Sequence, residues 1–279
     1  MPNSAPDIDK ITAPLLKWPG GKRRLIRFIL PLLPGKFKDY YEPFVGSGAL
    51  FFAVRPRRAF LSDRNPDLIS TYVHVRDNPG AVIRHLRKLR NSATEYYAIR
   101  SWVPKSEPAR AARLIYLSTL SFNGIHRVNL KGAFNVPYGY KTHLSPCDPG
   151  KIKHASKLLT RSTIRCQDFE EAVSHAQSGD LIYLDPPYTT AHANNGFVKY
   201  NAKIFTWEDQ KRLAVLACDL ARRGCFVIVS NADHSSIRSL YRDFNLLQVD
   251  RHSVIAASRE FRRPITECIF YSSDNSNAR

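Results

Sequence analysis

The sequence predicts an open α/β sheet of mainly parallel strands, interrupted by a basic helical module. Three observations carry that expectation. Short β-prone runs alternate with helical patterns in the first 65 residues and again from Thr163 to Tyr271. Several of these runs end on residues that suit a ligand-binding sheet edge: Gly46-Ser47-Gly48, Asp63 and Asp185-Pro186-Pro187-Tyr188. Between the two halves, Arg84 to Arg165 holds 16 Lys or Arg and only Glu95, Glu107 and Asp148 as acids.

Asp39 to Phe44 is a β-prone run that feeds the glycine turn, and Ala49 to Val54 continues as a helix. Ala59 to Ser62 is a second buried strand ending at Asp63. Helical patterns follow at Pro66 to Arg76, Pro79 to Arg90 and Ala109 to Ser121, with proline in the first turn and apolar residues every three or four positions. Leu130 to Phe134 carries a Lys-Gly turn between short apolar flanks, which predicts a hairpin. Thr163 to Cys166 then reads as a strand, Phe169 to Gln177 as a helix, and Asp180 to Leu184 as a strand entering the Asp-Pro-Pro-Tyr turn. Thr206 caps a helix that runs to Gly224, and the strand Cys225 to Ser230 follows at once. Helix Ser235 to Arg242 and strands Phe244 to Val249 and Ile265 to Tyr271 close the chain, the last two able to pair antiparallel.

The whole chain of 279 residues carries 42 Lys plus Arg against 24 Asp plus Glu, a net charge of +18. Such a balance, in a chain with 43% apolar residues, excludes a disordered tail and puts a polyanion, nucleic acid first, at the head of the candidate partners. Tyr96, Tyr97, Trp102, Tyr116, Phe122, Phe134, Tyr138 and Tyr140 are interleaved with the basic residues and are candidates for stacking on bases. No run of 18 apolar residues occurs, and Asp7 and Asp9 stand where a secretion signal carries positive charge, so a soluble cytoplasmic protein is expected. The five cysteines, an odd number without CxxC spacing, predict neither disulfides nor a zinc site; they are expected to be reduced and mostly buried.

The Asp185-Pro186-Pro187-Tyr188 turn is the most informative motif. Two prolines after a buried strand cannot donate to a ladder, so they fix the exit of the chain and leave the Pro186 carbonyl directed off the sheet edge. A carboxylate, a carbonyl and an aromatic ring together suit a planar base bearing an amino group: two acceptors for two N–H donors and one face for stacking. A rigid turn with an Asp cap is the competing reading. The glycine turn at 46 to 48 lets a ligand approach the backbone, and Asp63 is placed to bind both hydroxyls of a ribose. The third glycine of a dinucleotide fingerprint is missing, which favours an adenosyl cofactor without a pyrophosphate. Lys17 to Lys22 (KWPGGK) is only superficially a phosphate loop, because no GKS or GKT follows; Trp18 and Lys22 can instead cover a cofactor. The 17 residues from Thr189 to Phe205 lack periodicity and have the length of a lid.

In combination, KWPGGK at 17 to 22, EPFVGSG at 42 to 48, Asp63 in SDRNPDLI, FNGIHRVNLKGAFNVPYG at 122 to 139 and DPPY at 185 to 188 resemble the Dam-like, D12-class DNA adenine N6-methyltransferases. The order matches over roughly residues 15 to 271. The resemblance implies a Rossmann-like S-adenosylmethionine-dependent sheet, residues 1–65 and 156–279, with a helical target-recognition domain at 66–155 and a hairpin at 122–139. It implies cofactor contacts at Trp18, Lys22, Glu42, Phe44, Gly46, Gly48, Asp63, Asp168 and Asp185, and catalysis at Asp185, Pro186, Pro187 and Tyr188. For DNA it implies Lys17, Phe122, Asn123, Ile125, Arg127 and Asn129, with Arg127 reading guanine and Ile125 packing on a thymine methyl. The implied reaction is methyl transfer to N6 of an adenine flipped from duplex DNA, with GATC as the expected site and no metal required. A monomer in solution, cytoplasmic and nucleoid-associated, is expected, with restriction-modification a candidate setting. Cytosine N4 methylation and a catalytically silent DNA-binding relative are the alternatives. His126 falls in a slot that varies among relatives, Pro19 replaces a residue that is usually small, and Ala256 to Glu260 lacks a glycine common in that loop.

Overall fold

The computed structural model describes residues 14–18, 20–129, 132–189, 205–252 and 264–273. The fold is mixed α/β and Rossmann-like, built on a seven-stranded sheet of order β3-β2-β1-β4-β5-β7-β6. Its strands are β1 (Tyr40–Glu42), β2 (Ala59–Asp63), β3 (Ser162–Cys166), β4 (Leu181–Leu184), β5 (Phe226–Ala232), β6 (Asn245–His252) and β7 (Pro264–Tyr271). The helices are α1 (Ile26–Ile29), α2 (Ala49–Val54), α3 (Pro66–Asp77), α4 (Pro79–Leu86), α5 (Ala93–Ser101), α6 (Glu107–Leu120), α7 (Pro149–Leu159), α8 (Phe169–Ala172), α9 (Trp207–Arg222) and α10 (Ser235–Leu240).

By compactness the chain forms two units. One comprises Met1–Ile26, Val45–Arg55 and Asp63–Cys166; the other comprises Arg27–Phe44, Pro56–Ser62 and Gln167–Arg279. In the second unit β1 pairs parallel with β2 and β4, and β4 with β5. The expected antiparallel pairing of β6 with β7 is present, and β7 also pairs antiparallel with β5. Buried Ile182, Leu184, Val227, Val229 and Phe270 pack with Leu213, Ala217 and Leu220 of α9, an apolar face repeating at helical spacing. Thr206 opens α9 through a capping box, its hydroxyl accepting from Asp209 N while the Asp209 carboxylate takes the Thr206 N–H.

In the first unit, α6 presents Ala111, Ala112, Leu114, Ile115, Leu117 and Leu120 to the interior. Polar caps start four of its other helices: Asn65 accepts from Leu68 N, Asn78 from Ala81 N, Ser92 from Glu95 N and Asp148 from Lys151 N. Helices α5 and α7 are absent from the sequence reading, although both carry such caps.

Four expectations need correction. The helix expected over 169–177 stops at Ala172: Val173 leaves helical geometry (φ −111°, ψ 9°) and the Ser174 hydroxyl donates to the Glu171 carbonyl. The hairpin at 122–139 is not a continuous ladder but two bridges, Ser121 to Tyr138 and Val128 to Phe134, because Phe122–Gly124 winds into a 3-10 turn and Pro137 has no N–H to give. Its tip, Leu130 and Lys131, lies outside the described residues. Tyr96, Tyr116, Phe134 and Tyr138 are buried, not open for stacking on bases; the Tyr96 and Tyr116 hydroxyls donate to the Val136 and Arg90 carbonyls. Only Tyr97, Trp102, Phe122 and Tyr140 of that set are exposed. Among the cysteines Cys225 and Cys268 are buried, while Cys166 is exposed and Cys147 and Cys218 are half-buried.

Candidate active site and nucleic-acid interface

In the second unit the register sets Leu184 beside Val229, so Asp185 leaves β4 next to Ser230 and Asn231 at the carboxyl edge of β5. On the other side, β1 pairs with β4 through Tyr40–Leu181 and Tyr41–Ile182, and its last residue is the buried Glu42. Glu42 accepts the Tyr40 hydroxyl at 2.8 Å, and the Tyr183 and Ser230 hydroxyls bond at 2.9 Å. Burial raises the Tyr183 pKa well above its ordinary value, and the charges of Asp185, Glu42 and Glu267 push it further the same way. Burial likewise raises Tyr40, with Glu42 the next cause. Both phenols therefore stay neutral, and the edge concentrates negative potential, an environment that favours amino groups and cations.

The Asp-Pro-Pro-Tyr turn is held at two points that the sequence reading missed. The fully buried Gln210 of α9 donates from Nε2 to the Pro187 carbonyl at 3.2 Å while its Oε1 accepts from Asn231 Nδ2 at 3.0 Å. The Tyr188 hydroxyl donates to Oε2 of the fully buried Glu267 at 3.1 Å. Thr189 then clasps Phe205 by a 2.8 Å bond from its hydroxyl to the Phe205 carbonyl; the lid expected between them, residues 190–204, lies outside the described residues. Phe44 stacks on Phe169 with centroids 5.6 Å apart and meets Phe205 edge-on. Asp168 caps α8 through Glu170 N at 3.1 Å and pairs with Arg212 at 3.3 Å.

In the first unit, Gly46 adopts φ +44°, and a Cβ there would lie 3.0 Å from Trp18 Cδ1, so only glycine lets the indole close on this backbone. Gly46 N–H donates to Asp63 Oδ2 at 3.2 Å, its carbonyl accepts the Tyr72 hydroxyl at 2.9 Å, and Gly48 caps α2 in left-handed geometry. Asp63 Oδ1 takes Asn65 N–H at 3.0 Å. Burial raises the Asp63 pKa to about 6, and the backbone N–H bonds from Asn65, Gly46 and Arg64 oppose the shift. At neutral pH it is an ionised, half-buried acceptor. Lys22 is buried beside this turn, its Nζ donating to the Gly20 carbonyl at 2.8 Å.

The same unit carries the expected DNA-facing residues. Phe122 is 39% exposed, held by its N–H bond to the Pro137 carbonyl, and is followed by the left-handed pair Asn123 and Gly124. A Cβ on Gly124 would fall 2.7 Å from the Lys17 Cδ, so the Lys17 stem lies across this turn. Ile125 is half-buried, its carbonyl accepting the Ser121 hydroxyl at 3.1 Å. Exposed Arg127 donates from Nε to Asn135 Oδ1 at 2.9 Å, which orients the guanidinium, whereas Asn129 Oδ1 accepts from Ala133 N at 3.0 Å and shapes the loop. Burial lowers the Lys141 and Lys151 pKa values, and the positive charge of Lys17 lowers both further, as does that of Arg23 at Lys151. These four cations share one field, suited to phosphates.

The acidic sheet edge of one unit, and in the other the glycine turn beside Asp63 and the basic helices, are features that suit a transferase acting on nucleic acid. The comparisons make the class specific. The family model of the D12 class N6 adenine-specific DNA methyltransferases matches residues 18–255, and the chain belongs to that family. It is 39% identical over 266 residues to the type II methyltransferase M1.LlaDCHI of Lactococcus lactis subsp. cremoris, covering 92% of this chain and 94% of that protein. It is 33% identical over 261 residues to the DNA adenine methylase of Escherichia coli K12, covering 91% and 93%. The chain is an adenine-specific DNA methyltransferase. Among the described residues no helix is long and apolar enough to cross a membrane.

Proposed function

We propose that the protein transfers a methyl group from S-adenosylmethionine to N6 of an adenine flipped out of duplex DNA, within GATC, acting as a monomer. The observation that carries this reading is the doubly clamped Asp185 turn at the carboxyl edge of β4. Residues 1–65 and 156–279 serve the chemistry in this reading, and 66–155 the recognition of DNA.

The cofactor fits the residues present. The Gly46 cradle that a Cβ would fill suits close approach of an adenosyl group, and ionised Asp63 suits two ribose hydroxyls. Glu42 and the acidic edge suit a positively charged methionine portion. Trp18, Lys22, Phe44, Gly48 and Asp168 complete the set. When bound, the group supplies a methyl already activated by its sulfonium.

The chain's own residues handle the adenine. Its exocyclic nitrogen is a poor nucleophile because the lone pair is delocalised into the ring. Asp185 and the Pro186 carbonyl accept its two hydrogens and favour a pyramidal nitrogen, with the lone pair directed away from the ring. Tyr188 stacks on the base, and the Pro187 and Tyr188 anchors keep these acceptors from yielding. No strong base is needed, since the proton becomes acidic once the nitrogen is methylated. Phe122 and Asn123 fill the gap left in the stack, Lys17, Ile125 and Asn129 contact the DNA, and Arg127 reads a guanine.

The test incubates purified protein and labelled S-adenosylmethionine with duplexes carrying GATC or a single-base variant, followed by nucleoside analysis. N6-methyladenine confined to GATC is expected; methylcytosine, or transfer indifferent to the site, refutes the reading. Asp185→Ala is expected to lower transfer at least about a thousandfold with DNA affinity within several-fold, and surviving activity refutes the role of Asp185.

A further inference from the structure

His126 stacks on Trp18 with ring centroids 4.4 Å apart and planes 20° from parallel. Trp18 is the same indole that closes on the Gly46 turn. The imidazole also meets the buried Phe134 at 66° between planes, with centroids 5.5 Å apart, beside the bridge that joins Phe134 to Val128. One residue earlier in the chain, the Lys17 stem covers Gly124. Asp63 and Tyr72 in turn hold both backbone polar groups of Gly46. A continuous series of contacts inside the first unit thus runs from Asp63 through Gly46, Trp18 and His126 to the segment that presents Phe122 and Arg127.

We propose that His126 is a positioning residue that makes the DNA-reading segment depend on cofactor occupancy, by carrying the placement of the Trp18 indole to residues 122–134. The inference rests on the proposed cofactor and DNA roles of these two regions and adds a named coupling residue between them. A ligand that seats against Asp63 and the Gly46 turn restricts the indole; the stacked imidazole then has one favoured position, and with it the arm that carries Arg127. Because coupling between two binding sites is reciprocal, cognate DNA must tighten the cofactor by the same factor. A neutral imidazole suits this contact. Burial pushes the His126 pKa down to about 4, with Arg113 acting the same way and Asp67 opposing, so the ring stays uncharged at neutral pH.

The experiment measures DNA affinity by fluorescence anisotropy, with and without sinefungin, a cofactor analogue that has no methyl to transfer, on GATC and one-base-variant duplexes. Wild-type protein is expected to bind GATC about 5 to 100 times more tightly with the analogue present. His126→Ala is expected to bring that ratio to within about threefold of unity and to weaken discrimination. Analogue affinity measured without DNA should stay within about threefold. His126→Phe, which keeps a stacking ring, should restore the ratio, and this rescue separates positioning from loss of fold. A wild-type ratio of unity, or an unchanged ratio in His126→Ala, overturns the inference while leaving catalysis intact. Wild-type protein that binds no analogue overturns the proposed function and this inference together.

Discussion

Replacing Asp63 with Asn removes a half-buried charge whose cost can be followed with pH. Burial lifts this carboxyl from its ordinary value of 3.8 to about 6, so between those limits the folded protein holds the proton more tightly than the unfolded chain. The ionised form therefore opposes folding in full above about pH 6 and not at all below about pH 4. A shift of about two units corresponds to about 3 kcal/mol at neutral pH. Asn offers one acceptor oxygen in place of two and turns an amino group toward a backbone N–H, which costs about 1 kcal/mol. Asp63→Asn is thus expected to be more stable than wild type by about 1–2 kcal/mol at pH 7.5 and less stable by about 1 kcal/mol at pH 4. Urea unfolding at several pH values, with two spectroscopic probes to test two-state behaviour, measures the difference. A stability difference that does not change with pH would refute the reasoning. The same substitution should weaken S-adenosylmethionine binding by more than about tenfold if Asp63 holds the ribose hydroxyls, a cost of activity for stability.

Two further perturbations separate the parts of the site. Gly46→Ala sets a Cβ 3.0 Å from Trp18 at φ +44°, and is expected to cost about 1–2 kcal/mol and most of the cofactor affinity, measured by calorimetric titration and thermal unfolding. Unchanged affinity would show that the cradle is not the cofactor's. Gln210→Leu strips the bonds to the Pro187 carbonyl and Asn231 amide, and should lower stability by about 2–4 kcal/mol and slow single-turnover methyl transfer with little change in DNA affinity. A normal single-turnover rate would mean that the turn holds its shape without that anchor.

Much of the fold was legible because its signals act over a few residues. Proline in a first helical turn, a polar cap three residues before its N–H partner and a glycine that permits left-handed backbone all act locally, and α3, α4, α6 and the turn at Gly46 formed close to where these signals lay. The Asp185 turn was visible for the same reason, since two prolines constrain the chain wherever it goes. Helix α5 buries only Tyr96 and so shows no apolar stripe, whereas α7 was missed although Ile152, Ala155, Ser156 and Leu159 repeat at helical spacing behind the Asp148 cap.

By itself the sequence determined the alternation of strands and helices, the basic helical stretch and the identity of the residues proposed to meet the base and the cofactor. Tertiary structure decided which of those residues have neighbours that hold them. Gln210 reaches Pro187 across 23 positions, Glu267 reaches Tyr188 across 79, and His126 finds Trp18 from the irregular segment that follows α6. It also decided that Tyr96, Tyr116 and Tyr138 belong to the interior and Phe122 to the surface, though all are aromatics among cations. The physical reason is that a local preference is settled by a residue and its close neighbours along the chain. A partner in space is settled only when strand order and helix packing have brought distant segments together.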